Sequence, residues 1–400
     1  MIKKVRIQNF KSIYDLEIET GRINTFIGEN GSGKSNLLEA LVFASASDSN
    51  KLDNEFLTSR GIRVTEPKLM RSAYTEETSK ETIAISIYTL NSHILYILAN
   101  ENLPYSKWYN INNVKQLQSM LDTATKEIDD EISTLKTELE KSINVTNEIS
   151  DLDKRLKELR KFTSNIEHAI SKEETTKKLK TIGNFLIYSP ENSSLRQFYK
   201  EGQIEPLGIN GEGLLKLLNV INNYDDKSHI KTIKESLELF NWFKAIKIPD
   251  SMSHSEDRVE IEDKFLYTSF DQRSANEGFL FILFYITLIV AKETPKVFAI
   301  DNIDASLNPK LCTKLMTVLS ELAKEYDKQI FLTTHNPAIL DGIDLNDDEQ
   351  KLFTVSRNKS GHTRMKEITV ANKPKSSNEE PLKLSEAFLR GYLGALPKGF

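Results

Sequence analysis

The sequence has few features of a secreted or membrane protein. One cysteine, Cys312, occurs among 400 residues, which excludes an internal disulfide framework and is typical of a reducing cytosol. The longest apolar run, residues 279–291, is too short to cross a bilayer and predicts a buried helix. The first residues read as an alternating strand and contain no apolar signal core. We therefore expect a cytoplasmic protein without membrane contacts.

An excess of charge of one sign is also absent. The formal net charge is −5, from 53 Lys and Arg against 58 Asp and Glu. This balance gives no general attraction to nucleic acid or acidic lipid, so a contact with either would need a local patch. Hydrophobic residues make up 39% of the chain, which is enough for a large core and for more than one domain.

A phosphate-binding loop is the most informative motif. Residues 28–35 read G-E-N-G-S-G-K-S and match the pattern G-x-x-x-x-G-K-[ST], between an apolar strand pattern at 23–27 and an apolar helix pattern at 36–42. In this motif glycines bring backbone N–H groups to phosphate oxygens, the lysine adds positive charge and the serine offers a hydroxyl to Mg²⁺. The residues that we assign to the nucleotide are Asn30, Gly31, Ser32, Gly33, Lys34, Ser35 and Asn36, with Ser35 also a metal ligand.

Two continuous apolar strands later in the chain predict a parallel sheet. Residues 295–301 end in Asp301, residues 328–335 end in His335, and a helix pattern lies between them. Such strands, alternating with helices, are typical of a parallel sheet covered on both faces. Asp301 stands where a phosphate-loop protein needs a second metal ligand, and His335 stands within reach of a γ-phosphate. Further patterns predict a strand hairpin at 1–18, a strand at 82–90, a late hairpin at 352–355 and 363–368, and a short helix within 381–394.

A segment of different character lies between residues 111 and 181, which contain neither proline nor glycine. Apolar residues recur there in steps of three and four, and acidic residues dominate the first half whereas basic residues crowd the second. An interruption at residues 144–150 suits a chain reversal. We predict an antiparallel coiled-coil hairpin whose arms attract each other by opposite charge. A nucleic-acid contact by the basic arm is the less common use of such a charge run.

The order of these features resembles the ABC-type ATPase heads of the RecF, SMC and OLD-like group, over nearly the whole chain. The resemblance implies an α/β fold, in which a P-loop head with a mixed or parallel sheet covered by helices carries an inserted antiparallel coiled-coil hairpin. The implied parts are an N-terminal lobe at 1–110, the insertion at 111–181 and a C-terminal lobe at 182–400. ATP and Mg²⁺ are the implied cofactors, with Asp301 and Ser35 as metal ligands.

The resemblance also assigns residues outside the phosphate loop. Residues 7–12 are similar to the opening strand of the group, and Lys11 takes the position of its basic residue near the phosphates. Residues 275–278, A-N-E-G, best match the signature loop, typically Leu-Ser-x-Gly, that caps the ATP of the opposite subunit. Asn276 replaces the serine and can still donate a hydrogen bond, while Gly278 leads into an apolar helix. A homodimer around two ATP molecules is therefore implied, with larger assemblies left open.

One departure from the family concerns catalysis. Relatives usually place a glutamate directly after the metal-binding aspartate, as the base that polarises the attacking water, and this chain has Asn302. An amide cannot accept that proton, so we expect slow hydrolysis. Asp304 is a candidate to replace the base through a relayed water, and His335 is a candidate to position the attacking water. The glutamine loop of the relatives is not identifiable, because no glutamine lies between Lys34 and Gln116.

These expectations lead to one favoured function and two alternatives. We expect a slow ATPase whose long-lived dimer gates a separate effector, a nuclease or toxin, in bacterial anti-phage defence. The effector is expected on another polypeptide, because the chain ends about thirty residues after its last predicted strand, without the nuclease domain of OLD proteins. A RecF-like DNA-repair clamp and a catalytically silent, nucleotide-locked scaffold are the alternatives. A transporter ATPase and a kinase explain the insertion and the strand-end histidine poorly.

Overall fold

The structure is a computed structural model that describes residues 1–103, 105–112, 182–198, 201–249, 258–374 and 382–394, with a few isolated residues between 126 and 157. The predicted coiled-coil hairpin and its tip therefore lie outside the described residues. In the described part the strands, numbered along the chain, are β1 (Ile2–Phe10), β2 (Ile13–Glu19), β3 (Ile23–Gly28), β4 (Ile83–Thr89), β5 (His93–Ala99), β6 (Tyr109–Asn110), β7 (Ile187–Tyr188), β8 (Phe243–Lys247), β9 (Glu260–Asp263), β10 (Phe270–Asp271), β11 (Val297–Ile300), β12 (Gln329–Thr334), β13 (Gln350–Arg357) and β14 (Thr363–Ile368). The α-helices of the same part are α1 (Lys34–Asp48), α2 (Asn54–Ser59), α3 (Pro67–Met70), α4 (Asn192–Leu195), α5 (Leu214–Asn222), α6 (Ser228–Ser236), α7 (Glu277–Val290), α8 (Pro309–Glu325) and α9 (Leu384–Leu389).

A six-stranded sheet forms the centre of the molecule, in the order β14-β13-β3-β12-β11-β7. The strands from β13 to β7 run parallel, and β14 is antiparallel to β13. The predicted parallel sheet and late hairpin are thus confirmed. Because the carboxyl ends of parallel strands meet at one edge, the segments that follow β3, β11, β12 and β7 converge there.

Alternate residues of the central strands belong to two separate cores. In β3, Phe26 faces one core and Ile27 the other, and in β12 Phe331 and Leu332 divide in the same way. Helix α1 and the strands β1, β2 and β4 cover the first face, whereas helices α5 to α9 cover the second. The sheet is therefore covered on both faces, which explains why its strands are apolar throughout rather than alternating.

Two antiparallel sheets flank this centre. One has the order β2-β1-β4-β5-β6, and it includes the predicted hairpin of β1 and β2 and the predicted strand β4. The other, β10-β9-β8, was not predicted, because each of its strands has at most five residues and no clear alternation. It packs through Phe243 and Ile261 onto the core that contains α7.

The helices that matter for the site begin at well-defined caps. Helix α1 begins after Gly33, which has a left-handed φ of 105°. Helix α7 begins at Asn276, whose side chain accepts a hydrogen bond from the Phe279 N–H, and all its residues from Phe279 to Val290 are buried. This confirms the predicted buried helix. No helix in the described residues has both the length and the apolar character to cross a bilayer.

Candidate functional site

The phosphate loop is held in place by the late hairpin. A Cβ atom on Gly28 would lie 2.0 Å from the Val355 carbonyl oxygen, and one on Gly33 would lie 2.1 Å from Thr363 Oγ1. These clashes, together with the left-handed φ of Gly33, explain the two outer glycines of the motif. Gly31 has a φ of 74° and open space around its Cα, on the exposed side of the loop. The loop therefore rests on β13 and β14 and keeps a free outer surface.

Lys34 carries a buried positive charge whose direct contacts, among the described residues, are neutral carbonyl groups. Its ammonium donates to the Gly28 carbonyl at 2.9 Å and to the Glu29 carbonyl at 3.0 Å, and the residue is 5% exposed. Burial lowers the pKa of Lys34 to about 8, partly offset by the charges of Asp301, Asp304 and Glu29. The Ser32 hydroxyl is likewise buried without a hydrogen-bond partner. Phosphate oxygens would satisfy both groups, so the loop fits a nucleotide.

Ser35 and Asp301 form an oxygen pair suited to Mg²⁺. The Ser35 hydroxyl lies 3.2 Å from each carboxylate oxygen of Asp301, and the Thr333 hydroxyl donates to Oδ1 of the same carboxylate. Mg²⁺ is commonly held by one or two protein oxygens and completes its shell with water and phosphate. In the described residues no group of three or more His, Cys, Asp or Glu side chains could hold a metal alone. The pair therefore fits a nucleotide-bound Mg²⁺ rather than a free-standing metal centre.

His335 and Asp304 lie at the same edge. Asp304 Oδ1 accepts from the Thr334 hydroxyl at 2.6 Å and from the His335 N–H at 3.2 Å, so this carboxylate fixes the turn after β12. Burial and the nearby Lys34 charge lower the pKa of His335, which is therefore neutral at pH 7. Asp304 was predicted to replace the base through a relayed water, and His335 to position the nucleophile. In the structure Asp304 Oδ1 holds the turn, whereas His335 is exposed and its ring contacts the Gly28 backbone.

Asn302 has an unusual backbone conformation. Its φ is 56°, in the left-handed region that asparagine tolerates better than most residues. Its N–H donates to Thr333 Oγ1 at 2.9 Å, while its side chain is exposed at the sheet edge beside Asp301. The exposed amide of Asn302 therefore stands next to Asp301, at the position where the sequence predicts that the usual glutamate is missing.

The signature-like residues lie against the segment that follows Asp301. A Cβ atom on Gly278 would lie 3.1 Å from the Ser306 carbonyl and 3.4 Å from Leu307 Cδ2. Asn276 uses its Oδ1 as the helix cap, 2.9 Å from the Phe279 N–H, so its Nδ2 hydrogens are the donors left to it. Asn276 is exposed, and Ser306 has a left-handed φ of 59°. These residues form one outward-facing surface at the N-terminus of α7.

Lys11 is near the loop but its charge is paired. Its ammonium contacts the Glu39 carboxylate, which is 1% exposed, and Arg63 Nε lies 2.7 Å from the other oxygen of that carboxylate. Sequence reasoning missed Glu39 and Arg63, since neither belongs to a recognised motif. Lys11 lies on a pocket of about 440 Å³ beside the loop, and the lining residues are Lys11, Ser12, Asn36, Arg63, Thr65, Leu69, Arg71, Ala73, Tyr74 and Arg357.

Asn36 and Arg357 brace the loop from two sides. The Asn36 amide, assigned to the nucleotide from sequence, donates to Ser12 Oγ at 2.7 Å. Arg357 Nε donates to the Gly31 carbonyl at 2.8 Å, and Thr363 Oγ1 donates to the Ser32 carbonyl at 2.9 Å. Sequence reasoning missed Arg357, which follows the motif by more than three hundred residues and reaches it only because β13 pairs with β3.

A short strand that was not predicted completes the edge. β7 pairs in parallel with β11, and the Asp301 N–H donates to the Tyr188 carbonyl at 2.9 Å. The segment Ser189-Pro190-Glu191 therefore leaves the sheet directly beside Asp301. β7 follows the predicted insertion in sequence, so it lies outside the stretch between Lys34 and Gln116 that contains no glutamine.

Comparisons with known proteins agree with this architecture. The profile of the family described as "AAA ATPase domain" matches residues 1–340. The chain is 39% identical over 71 residues to the DNA double-strand break repair Rad50 ATPase of Thermoplasma volcanium, a match that covers 17% of this chain and 8% of that protein. It is 36% identical over 64 residues to the DNA replication and repair protein RecF of Phocaeicola vulgatus, a match that covers 15% of this chain and 17% of that protein. The matches thus span less than a fifth of either curated relative.

A solved structure, the Smc head bound to the C-winged helix domain of ScpA, superposes with a TM-score of 0.55 and 12% identity, covering 92% of this chain and 98% of that one. At this identity the likeness shows the fold alone. The phosphate loop, the Ser35 and Asp301 pair and the α7 N-terminus lie on that same fold. The chain therefore belongs to the AAA ATPase domain family, and its fold is similar to that of an SMC head.

Proposed function

We propose that this chain binds Mg-ATP in the phosphate loop and forms a two-fold dimer that hydrolyses it slowly. In the dimer, Asn276 and Gly278 of each subunit contact the triphosphate held by the Lys34 of the other. Ser35 and Asp301 hold the Mg²⁺, which neutralises phosphate charge, and His335 donates to the γ-phosphate. The observation that carries this proposal is the shared sheet edge, where the buried Lys34 charge, the Ser35 and Asp301 pair and His335 meet.

The contact of Gly278 with the segment after Asp301 supports the dimer. The Ser306 carbonyl lies against Gly278, and Ser306 is only five residues after the proposed metal ligand Asp301 in the chain. A helix N-terminus with a glycine in its first turn lets phosphate oxygens approach the backbone N–H groups closely. Neither subunit would offer this second half of the site to its own nucleotide. The site is therefore complete only when two copies meet.

The first test is the mass of the particle. With saturating Mg-ATP we expect sedimentation velocity to show a doubling of mass, and with EDTA or without nucleotide we expect single subunits. Because Cys312 is buried, thiols introduced together as Asn30→Cys and Asn276→Cys are the accessible ones. They should form a disulfide between subunits only with nucleotide present. Particles that stay single, or that associate without this cross-link, would contradict the proposal.

A variant at the signature position tests the same contact by charge. Gly278→Glu places a carboxylate against the partner's triphosphate, where like charges about 4 Å apart repel by roughly 4 kcal/mol. We expect ATP-dependent association to weaken at least about 100-fold, whereas nucleotide binding by the single subunit should be unchanged. Thr317→Glu, which adds the same charge on the exposed side of α8, is the matched control. Equal association of both variants would remove Gly278 from the interface.

The pKa of Lys34 predicts how nucleotide affinity depends on pH. Bound phosphates stabilise the ammonium, so binding raises a pKa that is about 8 in the free protein. Affinity is then constant below pH 8 and falls as pH rises above it, by up to about tenfold per unit. Titration of a fluorescent ATP analogue from pH 7.5 to 9.5 measures this, since the phosphates are already ionised there. Lys34→Arg should flatten the profile, because guanidinium does not titrate in this range. A wild-type affinity that does not change between pH 7.5 and 9.5 would contradict this prediction.

Slow turnover suits a clamp or sensor that signals through a separate effector, in the manner expected from sequence for anti-phage defence. With Asn302 at the usual position of the base, the ATP-bound dimer would persist and could hold the effector in one state. Copurification of a neighbouring gene product with the wild type, lost in Gly278→Glu, is the expected result. No phosphate release over hours would instead favour the catalytically silent scaffold.

A DNA clamp is the second candidate, because both curated relatives carry DNA-repair names. Such a clamp needs a basic surface on the closed dimer, and its binding to duplex DNA would weaken steeply with salt. Fluorescence anisotropy with a short duplex, with and without Mg-ATP, decides between the two. Binding that requires nucleotide and falls at least about tenfold from 50 to 200 mM salt would favour the clamp.

A further inference from the structure

Arg196 contacts the loop that leads into the signature-like helix. It follows α4, and its guanidinium donates to three backbone carbonyls of that loop: 2.8 Å to Gln272, 2.8 Å to Ala275, and a third bond to Arg273. Its Nε donates to Asn192 Oδ1 at 2.9 Å, which fixes the side chain on its own helix. A planar guanidinium offers five donors in a fixed fork and can hold several carbonyls at once.

The loop held in this way has a second anchor. Gln272 is 1% exposed and its Oε1 accepts from the Val259 N–H at 3.1 Å, which ties the loop to β9. Ala275 is 3% exposed and immediately precedes the cap of α7. The backbone from 272 to 275 is therefore fixed from both sides, and the next residue is Asn276. Any change in this backbone alters the direction in which α7 begins.

The segment that leads to Arg196 begins at the edge of the central sheet where the phosphate loop and Asp301 lie. The helix α4 follows β7 after three residues, and the Tyr188 carbonyl accepts from the Asp301 N–H. The Glu191 N–H donates to the Asn210 carbonyl at 2.8 Å, so the start of this segment is also fixed. One continuous stretch thus runs from the strand beside the proposed metal ligand to the guanidinium that holds the signature-like loop.

We propose that Arg196 is a positioning residue that sets the orientation of Asn276 and Gly278 and couples it to the metal-binding edge of the same subunit. The inference rests on the proposed function, in which those two residues meet the partner's triphosphate. It assigns to Arg196 no contact with nucleotide. Loss of the fork should therefore leave binding at the phosphate loop unchanged and impair the steps that need the signature-like surface.

Arg196→Ala and Arg196→Lys test the inference by two measurements. Hydrogen exchange of nucleotide-free protein should show amides of residues 272–280 exchanging at least about tenfold faster in Arg196→Ala, with residues 28–36 unchanged. Steady-state hydrolysis should show kcat lowered at least about tenfold while the dissociation constant for a fluorescent ATP analogue stays within about twofold. Arg196→Lys keeps the charge but not the fork, so it should fall between these values. If Arg196→Ala fails to fold, Arg196→Lys alone tests the inference.

Arg22→Ala is the matched control. Arg22 also donates to backbone carbonyls, those of Ala323 and Lys328 at 3.2 Å each, but at the amino end of β3, away from the nucleotide edge. Loss of Arg22 should lower the melting temperature. It should not speed hydrogen exchange at residues 272–280, and it should not lower kcat while leaving the dissociation constant of the ATP analogue unchanged. Unchanged exchange at 272–280, or unchanged kcat, in both Arg196 variants would overturn the inference. Whether the proposed dimer forms at all is measured separately, by the mass of the wild-type particle with Mg-ATP.

Discussion

Replacing Asn302 with glutamate is expected to raise ATP turnover by about 10²-fold or more. A positioned general base typically contributes 10²–10⁴-fold, and the asparagine amide cannot accept the proton of the attacking water. The side chain at this position is exposed beside Asp301, so a carboxylate there needs no rearrangement of the core. Phosphate release under saturating Mg-ATP measures the change, and wild-type turnover should lie below about 1 s⁻¹.

The left-handed backbone conformation at Asn302 determines which control variants are needed. Glutamate in the left-handed region costs about 1–2 kcal/mol more than asparagine, so Asn302→Glu should also be less stable than the wild type. Asn302→Gln carries the same backbone penalty without a base and should not exceed the wild-type rate. Asn302→Asp tolerates the backbone but holds its carboxylate one methylene shorter, so its rate should lie between the two. Equal rates for Asn302→Glu and Asn302→Gln would show that the missing base does not limit turnover.

The same substitution should shorten the life of the dimer. If nucleotide binding closes two subunits and hydrolysis opens them, faster hydrolysis lowers the steady-state fraction of dimer. Asn302→Glu should therefore dimerise with a non-hydrolysable analogue but be largely single in Mg-ATP within minutes. A faster enzyme that stays dimeric would separate hydrolysis from opening and would contradict the clamp.

The central sheet and the residues that meet at its edge were predictable from sequence because their signals are local. The glycines of the loop, the apolar strands that end in Asp301 and His335, and the buried run of α7 each stand in one short segment. Residues whose role depends on pairing between distant strands were not predictable. Arg357 reaches Gly31 because β13 pairs with β3, and Arg63 meets Lys11 through its own carbonyl and through the Glu39 carboxylate on α1.

Short elements were missed for a different physical reason. β7 has two residues and β10 has two, too few for any periodicity, and they exist because neighbouring strands supply their hydrogen bonds. β7 nevertheless positions the chain beside Asp301 and leads to Arg196. Asp304 also has a role that its type and position did not predict, because its Oδ1 accepts the hydrogen bonds that hold the turn after β12.

Replacing Lys34 with methionine is expected to abolish nucleotide binding, with the dissociation constant raised at least about 100-fold. The lysine is the cation at the centre of the loop, and hydrogen bonds from charged donors are worth about 1.5–3 kcal/mol each. Lys34→Arg keeps the charge but changes its shape, and we expect an intermediate loss. Titration of a fluorescent analogue with Mg²⁺ measures all three proteins. Binding by Lys34→Met within tenfold of the wild type would remove Lys34 from the site.

The same methionine should stabilise the nucleotide-free protein, by about 1 kcal/mol at pH 7. The folded-state pKa of about 8 lies below the ordinary 10.5, so burial of the charged lysine destabilises the fold wherever both states are protonated. This penalty is complete below pH 8 and disappears as pH rises from 8 to 10.5, so the advantage of methionine should disappear over that window. Chemical denaturation at pH 7 and pH 10 measures the difference.

Lys328→Met is the contrasting control for this stability effect. Burial also lowers the pKa of Lys328, to about 7, but its ammonium donates to Ala291 O and Thr294 O at 3.0 Å each and is 2% exposed. Methionine there leaves carbonyls without a partner and beyond the reach of water, at about 1–3 kcal/mol for each unsatisfied group. Lys34 is 5% exposed but lies under a loop whose residues Asn30 and Gly31 are exposed, so we expect water to enter there and replace the lost bonds. Opposite signs for the two substitutions are therefore expected. If Lys34→Met and Lys328→Met both destabilise the protein, the contacts of Lys34 in the nucleotide-free protein already stabilise its charge, and the charge does not require a phosphate.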